Sequence, residues 1–161
     1  MDGSSEKRNR IFKIDLDEQL RIRRNADIEH ERTVAIFDLL EENTFALAGD
    51  APGPYHLTLS IEDTRLAFDV KSETGSALER LALPLSPFRG VIKDYFTVCE
   101  SYYDAIKRLS PSQIEALDMG RRAVHNEGSQ LLRERLEGKI EMDHNTARRL
   151  FTLICVLHIR A

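Results

Sequence analysis

The sequence predicts an α+β protein: a small antiparallel β-sheet of four to five strands, with one N-terminal helix and a C-terminal bundle of three to four helices packed on one face. Three observations carry this. Residues 55–71 alternate apolar and polar with a period of two, residues 86–109 change to the helical period of 3.6, and the run Leu150 to Ile159 leaves almost no polar face. A helix that is apolar all round has to be wrapped by other elements, so the last helix is expected to be the most buried. At about 1.5 Å per residue this run spans roughly 15 Å, half of what a bilayer requires, and it reads as a core helix with no membrane role.

Each element has a local cause. Ile11 to Leu16 alternates well enough for a half-buried strand with Phe12, Ile14 and Leu16 on one face, and the charged stretch Asp17 to Arg24 reads as an exposed loop. Asp27 is a suitable N-cap, and Glu29 and Glu31 compensate the helix dipole in the first turn of a helix running to about Glu42. Its buried stripe is Ile28, Ala35, Ile36, Leu39, Leu40 and the stem of Arg32, widened by Val34 and Phe37. Phe45-Ala46-Leu47 is a short strand, closed by the turn-rich residues 49–54.

Tyr55–Glu62 and Arg65–Lys71 form an antiparallel hairpin with Tyr55, Leu57, Leu59, Ile61, Leu66, Phe68 and Val70 on the inner face. Ser72 to Gly75 turns the chain into a strand near Leu78 to Leu83, where the wrong parity of Leu78 points either to a bulge around Glu79 or to a later strand start. Ser86 with Pro87 starts a helix whose stripe extends from Phe88 to Leu109. Ser110, Pro111 and Gln113 start the next one, with Asn126-Glu127-Gly128-Ser129 as a candidate break. Gly138 ends that segment, Lys139 to Met142 is an extended connector, and Asp143 caps the final helix.

The 161 residues suit a single domain over 10–161, preceded by a polar, disordered tail over 1–9. With 27 acidic and 23 basic residues the chain carries a formal charge of −4, which disfavours nucleic acid and anionic lipid as partners. Cys99 and Cys155 each sit inside an apolar helical stripe and lack the close spacing of a redox or metal pair. Two buried thiols and a polar N-terminus without a signal-peptide core place the protein in the cytoplasm.

The motif inventory is mainly negative. There is no Gly-x-Gly-x-x-Gly, no Gly-x-Ser-x-Gly, and Gly138-Lys139 is followed by Ile140 where a phosphate loop needs Ser or Thr. The strongest candidate for chemistry is the third helix, where Asp118 meets Arg122 and Arg121 meets His125 at a spacing of four, with Asn126 and Glu127 close by. Arg121 shares a stripe with Leu117, Val124 and Gly128. Its guanidinium therefore turns inward and needs a carboxylate, for which Glu100 or Asp104 is expected, or an anionic ligand.

An anion site would draw on Lys93, Arg121, Arg122, His125, Glu127 and Arg148, and the competing reading is a structural ion-pair network. Asp27, His30 and Glu31 are acceptable metal-ligand types, but capping accounts for the carboxylates and the spacing matches no metal motif, so no metal and no cofactor are expected. Small residues Ala116, Gly120 and Ala123 or Val124 would permit close helix approach, within the monomer or between subunits.

Several stretches carry a resemblance over nearly the whole chain: Asp27-Ile28-Glu29-His30-Glu31-Arg32 with Phe37 to Asn43; Pro87-Phe88-Arg89 through Lys93-Asp94-Tyr95-Phe96 to Cys99-Glu100-Ser101-Tyr102-Tyr103; Pro111 to Ala116 through Gly120-Arg121-Arg122 to His125-Asn126-Glu127-Gly128-Ser129; and Arg148 to His158. In these the chain is similar to an uncharacterised protein family of alphaproteobacteria. The resemblance implies a bacterial cytosolic protein and supplies no activity, substrate or site residue.

The functional expectation is a non-enzymatic cytosolic binding or regulatory protein that acts through protein–protein contacts, as a homo-oligomer with a helical interface. The alternative is a small-anion (phosphate or carboxylate) binding protein or enzyme built on the third-helix cluster. A third reading, RNA binding, requires Arg21, Arg23, Arg24, Arg148 and Arg149 to converge on one patch.

Overall fold

The computed structural model describes residues 8–17, 26–49 and 51–158. Its elements are β1 (Ile11–Leu16), α1 (Ala26–Glu41), β2 (Phe45–Leu47), β3 (Tyr55–Glu62), β4 (Arg65–Ser72), β5 (Ala77–Pro84), a 3₁₀ turn (Ser86–Phe88), α2 (Arg89–Ala105), α3 (Pro111–Leu136), β6 (Ile140–Met142) and α4 (His144–His158). The architecture is α+β, and α4 is enclosed as its sequence requires: every residue from Leu150 to Val156 is buried.

The main sheet has the order β1-β3-β4-β5. It is mixed, where the sequence suggested a purely antiparallel one, because β1 lies parallel to β3. A parallel neighbour needs a crossover connection, and α1 lies between the two strands in sequence. The expected inner face holds, with Tyr55, Leu57, Leu59, Leu66, Phe68 and Val70 all buried. Opposite Val70 and Lys71 the register slips by one residue, so that Leu78 has no partner and the parity conflict in β5 is resolved by a bulge.

Parity in β1 differs from expectation. Its register shifts between Ile11 and Lys13, which buries Ile11 and Ile14 and leaves Phe12 exposed. Phe12 lies edge-on to His56, with 6.4 Å between ring centroids.

Residues 140–142, expected to be a bare connector, instead form β6 and pair antiparallel with β2, Phe45 opposite Met142 and Leu47 opposite Ile140. This ribbon fastens the entry of α4 to the exit of α1. The Thr146 hydroxyl accepts the Thr44 N–H at 2.9 Å, and the Asn43 side chain binds the Ile11 N–H, Ile11 O and Leu39 O. Of the expected tail, residues 1–7 lie outside the described residues, while the Asn9 carbonyl accepts the Phe45 N–H at 3.0 Å. Gly53 packs so closely there that a Cβ would stand 1.9 Å from the Arg8 carbonyl oxygen.

The helix starts divide. Ser110 and Gln113 form a reciprocal capping box, and Asp143 Oδ1 accepts the Thr146 N–H at 2.8 Å. Ser86 makes no capping bond; a 3₁₀ turn intervenes before α2 begins at Arg89. Ile106 and Leu109, expected on its stripe, lie beyond its end and are exposed. On α1, Val34 and Phe37 do not widen the core, since both side chains are exposed.

Helix α3 runs unbroken through Gly128, for two reasons. The Ser129 hydroxyl, the would-be cap, donates instead to the His144 carbonyl at 3.1 Å. Gly128 itself is the crossing point with α4, where a Cβ would lie 2.5 Å from three atoms of the Phe151 ring. Close helix approach and not helix termination is what this glycine provides.

Candidate functional site

The helical layer is centred on one carboxylate, Glu31, whose side chain is 10% exposed. On α1 it follows Ile28 by three and precedes Ala35 by four, which sets it on the buried edge of the helix. Two phenols of α2 donate to it: Tyr103 to Oε2 at 2.7 Å and Tyr95 to Oε1 at 3.2 Å. From α3, Arg121 Nη1 approaches Oε1 at 3.5 Å. One side chain thus joins three helices.

Arg121 does turn inward, as its stripe position demands, but its partners are not the expected Glu100 or Asp104. They are Glu31 and Asp118, with Nη2 at 3.2 Å from Asp118 Oδ1 and the guanidinium carbon 4.6 Å from the centroid of the Tyr102 ring. Burial opposes the charge, but Glu31 and Asp118 outweigh it and hold the guanidinium pKa above its ordinary value. Asp118 gives its other oxygen to Arg122 at 2.9 Å, the pair expected from the spacing of four. The same surroundings also raise the α2 side chains. Burial first, then bonding to the carboxylate, raises Tyr103, while burial and the charge of Glu31 push the Cys99 thiol up to about 11. Both cysteines are buried and free, and these thiols stay protonated at neutral pH.

A cleft of about 230 Å³ opens beside this network. Helix α1 lines it with Glu31, Val34, Ala35 and Asp38, α3 with Arg121, Arg122 and His125, and α4 with Arg148, Arg149 and Thr152. Four guanidinium groups face two carboxylates, and the cations are not equally occupied. Arg121 and Arg122 share Asp118, and Arg149 Nη1 donates to the Glu42 carbonyl at 3.1 Å. Arg148 differs: its Nε is buried without an acceptor, as is that of Arg121, and no ion pair to Arg148 occurs among the described residues. Burial, and then repulsion from Arg149, Arg122 and Arg121, lowers its pKa.

His125 is buried between Tyr95 and Phe151, edge-on to both rings, and its Nδ1 lies 2.8 Å from the Arg121 carbonyl oxygen. Its pKa is lowered chiefly by burial, with the charges of Arg148 and Arg121 acting in the same direction. At neutral pH the ring is uncharged.

Of the residues proposed for an anion site, Arg121, Arg122, His125 and Arg148 line this one cleft, while Lys93 and Glu127 are exposed and do not line it. Reading the sequence missed Glu31 as the centre, Asp38 as a wall and Arg149 as a fourth cation. The place of Glu31 in the Ile28–Ala35 spacing was the available signal. Asp27, His30 and Glu31 do not assemble, and no cluster of three or more metal-ligating side chains occurs among the described residues. Arg21, Arg23 and Arg24 lie outside the described residues. Ala116, Gly120 and Ala123 are exposed, and a Cβ on Gly120 would meet open space, whereas Val124 is half-buried against the core. No helix among the described residues is long and apolar enough to cross a membrane.

Fold and cleft together define a small α+β protein whose helical layer encloses a cationic pocket. The chain belongs to the Uncharacterised protein family (UPF0262), whose family model matches residues 8–160. It is similar to a UPF0262 protein of Paramagnetospirillum magneticum, 61% identical over 153 residues that cover 95% of this chain and 98% of the relative. UPF0262 proteins of Hyphomonas neptunium and a Chelativorans species are 58% and 59% identical, covering 93% and 99% of this chain and 93% and 99% of their own lengths. These bacterial relatives agree with the alphaproteobacterial resemblance seen in the sequence. No solved structure matches the chain.

Proposed function

We propose that the protein binds a small phosphate- or carboxylate-bearing ligand in the cleft between α1, α3 and α4. The observation that carries this reading is Arg148. It combines a buried Nε lacking an acceptor with repulsion from three arginines and no ion pair among the described residues. A guanidinium stays ionised at all physiological pH, and a buried donor without a partner costs about 1–3 kcal/mol. A chain that keeps such a group in a cleft gains when an anion fills it.

The test is a thermal-shift and calorimetric comparison of wild type and Arg148→Gln against inorganic phosphate, sugar phosphates and carboxylic acids. A ligand at 100 times its dissociation constant adds about 2.7 kcal/mol of stability to wild type. In Arg148→Gln that response disappears while the free protein melts at the same temperature or higher, because a repelled charge has been removed. A variant that melts several degrees earlier and still responds to ligand would sink the reading.

Association through helices is a second reading, supported by Phe37 on α1 at 65% exposure and Met119 on α3 at 64%. Large apolar side chains this open mark contact surfaces when they form a contiguous patch. Light scattering of wild type and Phe37→Ser separates the cases: a dimer that the substitution dissolves supports it, and a wild-type monomer at high concentration removes it.

A further inference from the structure

We infer that the ligand of the arginine cleft is an oxyanion that keeps an O–H group at neutral pH, because His125 meets it as a hydrogen-bond acceptor. The inference rests on the anion reading above and narrows it. A carbonyl oxygen only accepts, so the 2.8 Å contact between Nδ1 and the Arg121 carbonyl fixes the proton on Nδ1. The ring is buried beside two arginines and is neutral. Its other nitrogen, Nε2, therefore carries a lone pair. Among the described residues Nε2 meets no hydrogen-bond donor, although His125 lines the cleft together with four guanidinium groups.

The cleft therefore presents two opposite demands. Arg148, whose buried Nε has no acceptor and which makes no ion pair among the described residues, asks for a negatively charged oxygen. His125 asks for a donor. A fully deprotonated oxyanion satisfies the arginines but sets its lone pairs against that of Nε2. Hydrogen phosphate, or an anion carrying a hydroxyl beside its acidic group, satisfies both at once. A cleft of about 230 Å³ has room for a molecule of this size. Sites that hydrogen-bond a ligand hydroxyl reject analogues lacking it far more strongly than apolar pockets reject a missing methylene, because a buried polar group is left unpaired.

Inorganic phosphate and sulfate separate these demands. Both are tetrahedral and of similar size, and near pH 7.5 both are mainly dianions, but only phosphate retains a proton. Titration calorimetry of the full chain at pH 7.5 is expected to give phosphate an affinity at least about 100-fold above that of sulfate. His125→Asn places an amide donor where Nδ1 stands and deletes Nε2, so phosphate and sulfate should then bind within about threefold of each other. His125→Gln sets an amide oxygen near the position of Nε2 and should keep a clear preference for phosphate, which also separates loss of the acceptor from loss of the fold.

Equal binding of the two anions by wild type, both abolished in Arg148→Gln, would leave the anion cleft standing and overturn the role of His125. Preference retained in a folded His125→Asn would overturn it as well. Failure of wild type to bind either anion would overturn both this inference and the anion reading beneath it.

Discussion

Replacing Glu31 by Gln changes almost no volume and removes one charge from the point where α1, α2 and α3 meet. The carboxylate accepts from Tyr103 at 2.7 Å and Tyr95 at 3.2 Å, and it faces Arg121 at 3.5 Å. Hydrogen bonds to a charged group contribute about 1.5–3 kcal/mol and neutral ones about 0.5–1.5, so the two phenol bonds together lose roughly 2 kcal/mol of charge assistance. The amide nitrogen recovers part of this by donating to a phenol oxygen. Arg121 keeps Asp118, but its pair with Glu31 is lost; because a quarter of the arginine side chain is exposed, that adds no more than about 1 kcal/mol. The expected destabilisation is therefore about 2–3 kcal/mol. For a chain of this length it lowers the melting temperature by roughly 4–12 °C. Urea unfolding followed by far-UV circular dichroism measures it directly, with Tyr103→Phe and the double variant closing a cycle around the shortest bond. A loss under about 1 kcal/mol would refute the view that Glu31 joins the helices. Phosphate titration adds an independent check. Glu31→Gln removes negative charge from the cleft wall and should tighten anion binding, so a folded variant that no longer binds phosphate would mean that Glu31 contacts the ligand itself.

Gly128→Ala gains about 1 kcal/mol in helix propensity but sets a methyl group 2.5 Å from the buried Phe151 ring, which is itself held edge-on by Tyr95 and His125. Overpacking of this kind costs about 1–3 kcal/mol or more, so the variant should have a lower urea midpoint; a raised midpoint would contradict the described crossing of α3 and α4. Acid stability should report His125. Its folded pKa is lowered from the unfolded value of about 6.5, so its contribution is complete above that pH and is lost as the pH falls, because the unfolded chain takes up the proton first. His125→Asn should flatten the stability profile below pH 6.5, and an unchanged slope would show that the ring is not neutral in the fold. At the alkaline end Cys99, raised to about 11, contributes stability that is complete below its usual value of 9.0 and declines as the pH rises through about 11. Cys99→Ala should shallow that decline in an alkaline melting series.

What was legible in the sequence follows the strength of the periodic signal. The β3–β4 hairpin, the capping box at Ser110, the Asp143 cap and the enclosure of α4 are written in alternation, local capping chemistry and an unbroken apolar run, and all four stand in the structure. Features that depend on a distant partner were not legible. Residues 140–142 are too few to announce a strand; they form one because Phe45 to Leu47 lie opposite. The break suggested at Gly128 fails because its local signals are overridden by Phe151 and His144, 23 and 16 residues further along the chain. Val34 and Phe37 show the converse limit: apolar residues widened the apparent stripe of α1, yet both side chains stay exposed among the described residues.

The candidate site was half legible for the same reason. Spacing alone put Arg121 on an inward face beside His125, because both belong to one helix, and it linked Asp118 to Arg122. It could not say which carboxylate would answer Arg121, and chose neighbours on α2 when the partner stands on α1, 90 residues away. That choice of partner divides the arginines by role. Arg121 is anchored by Glu31, Asp118 and the face of Tyr102, and its removal strands Glu31, so it should weaken the fold. Arg148 has no such anchor among the described residues and is pressed by like charges, so its removal should relieve the fold while abolishing the proposed anion binding. A positive charge that a free chain would be more stable without is the mark of a group kept for something that binds to it.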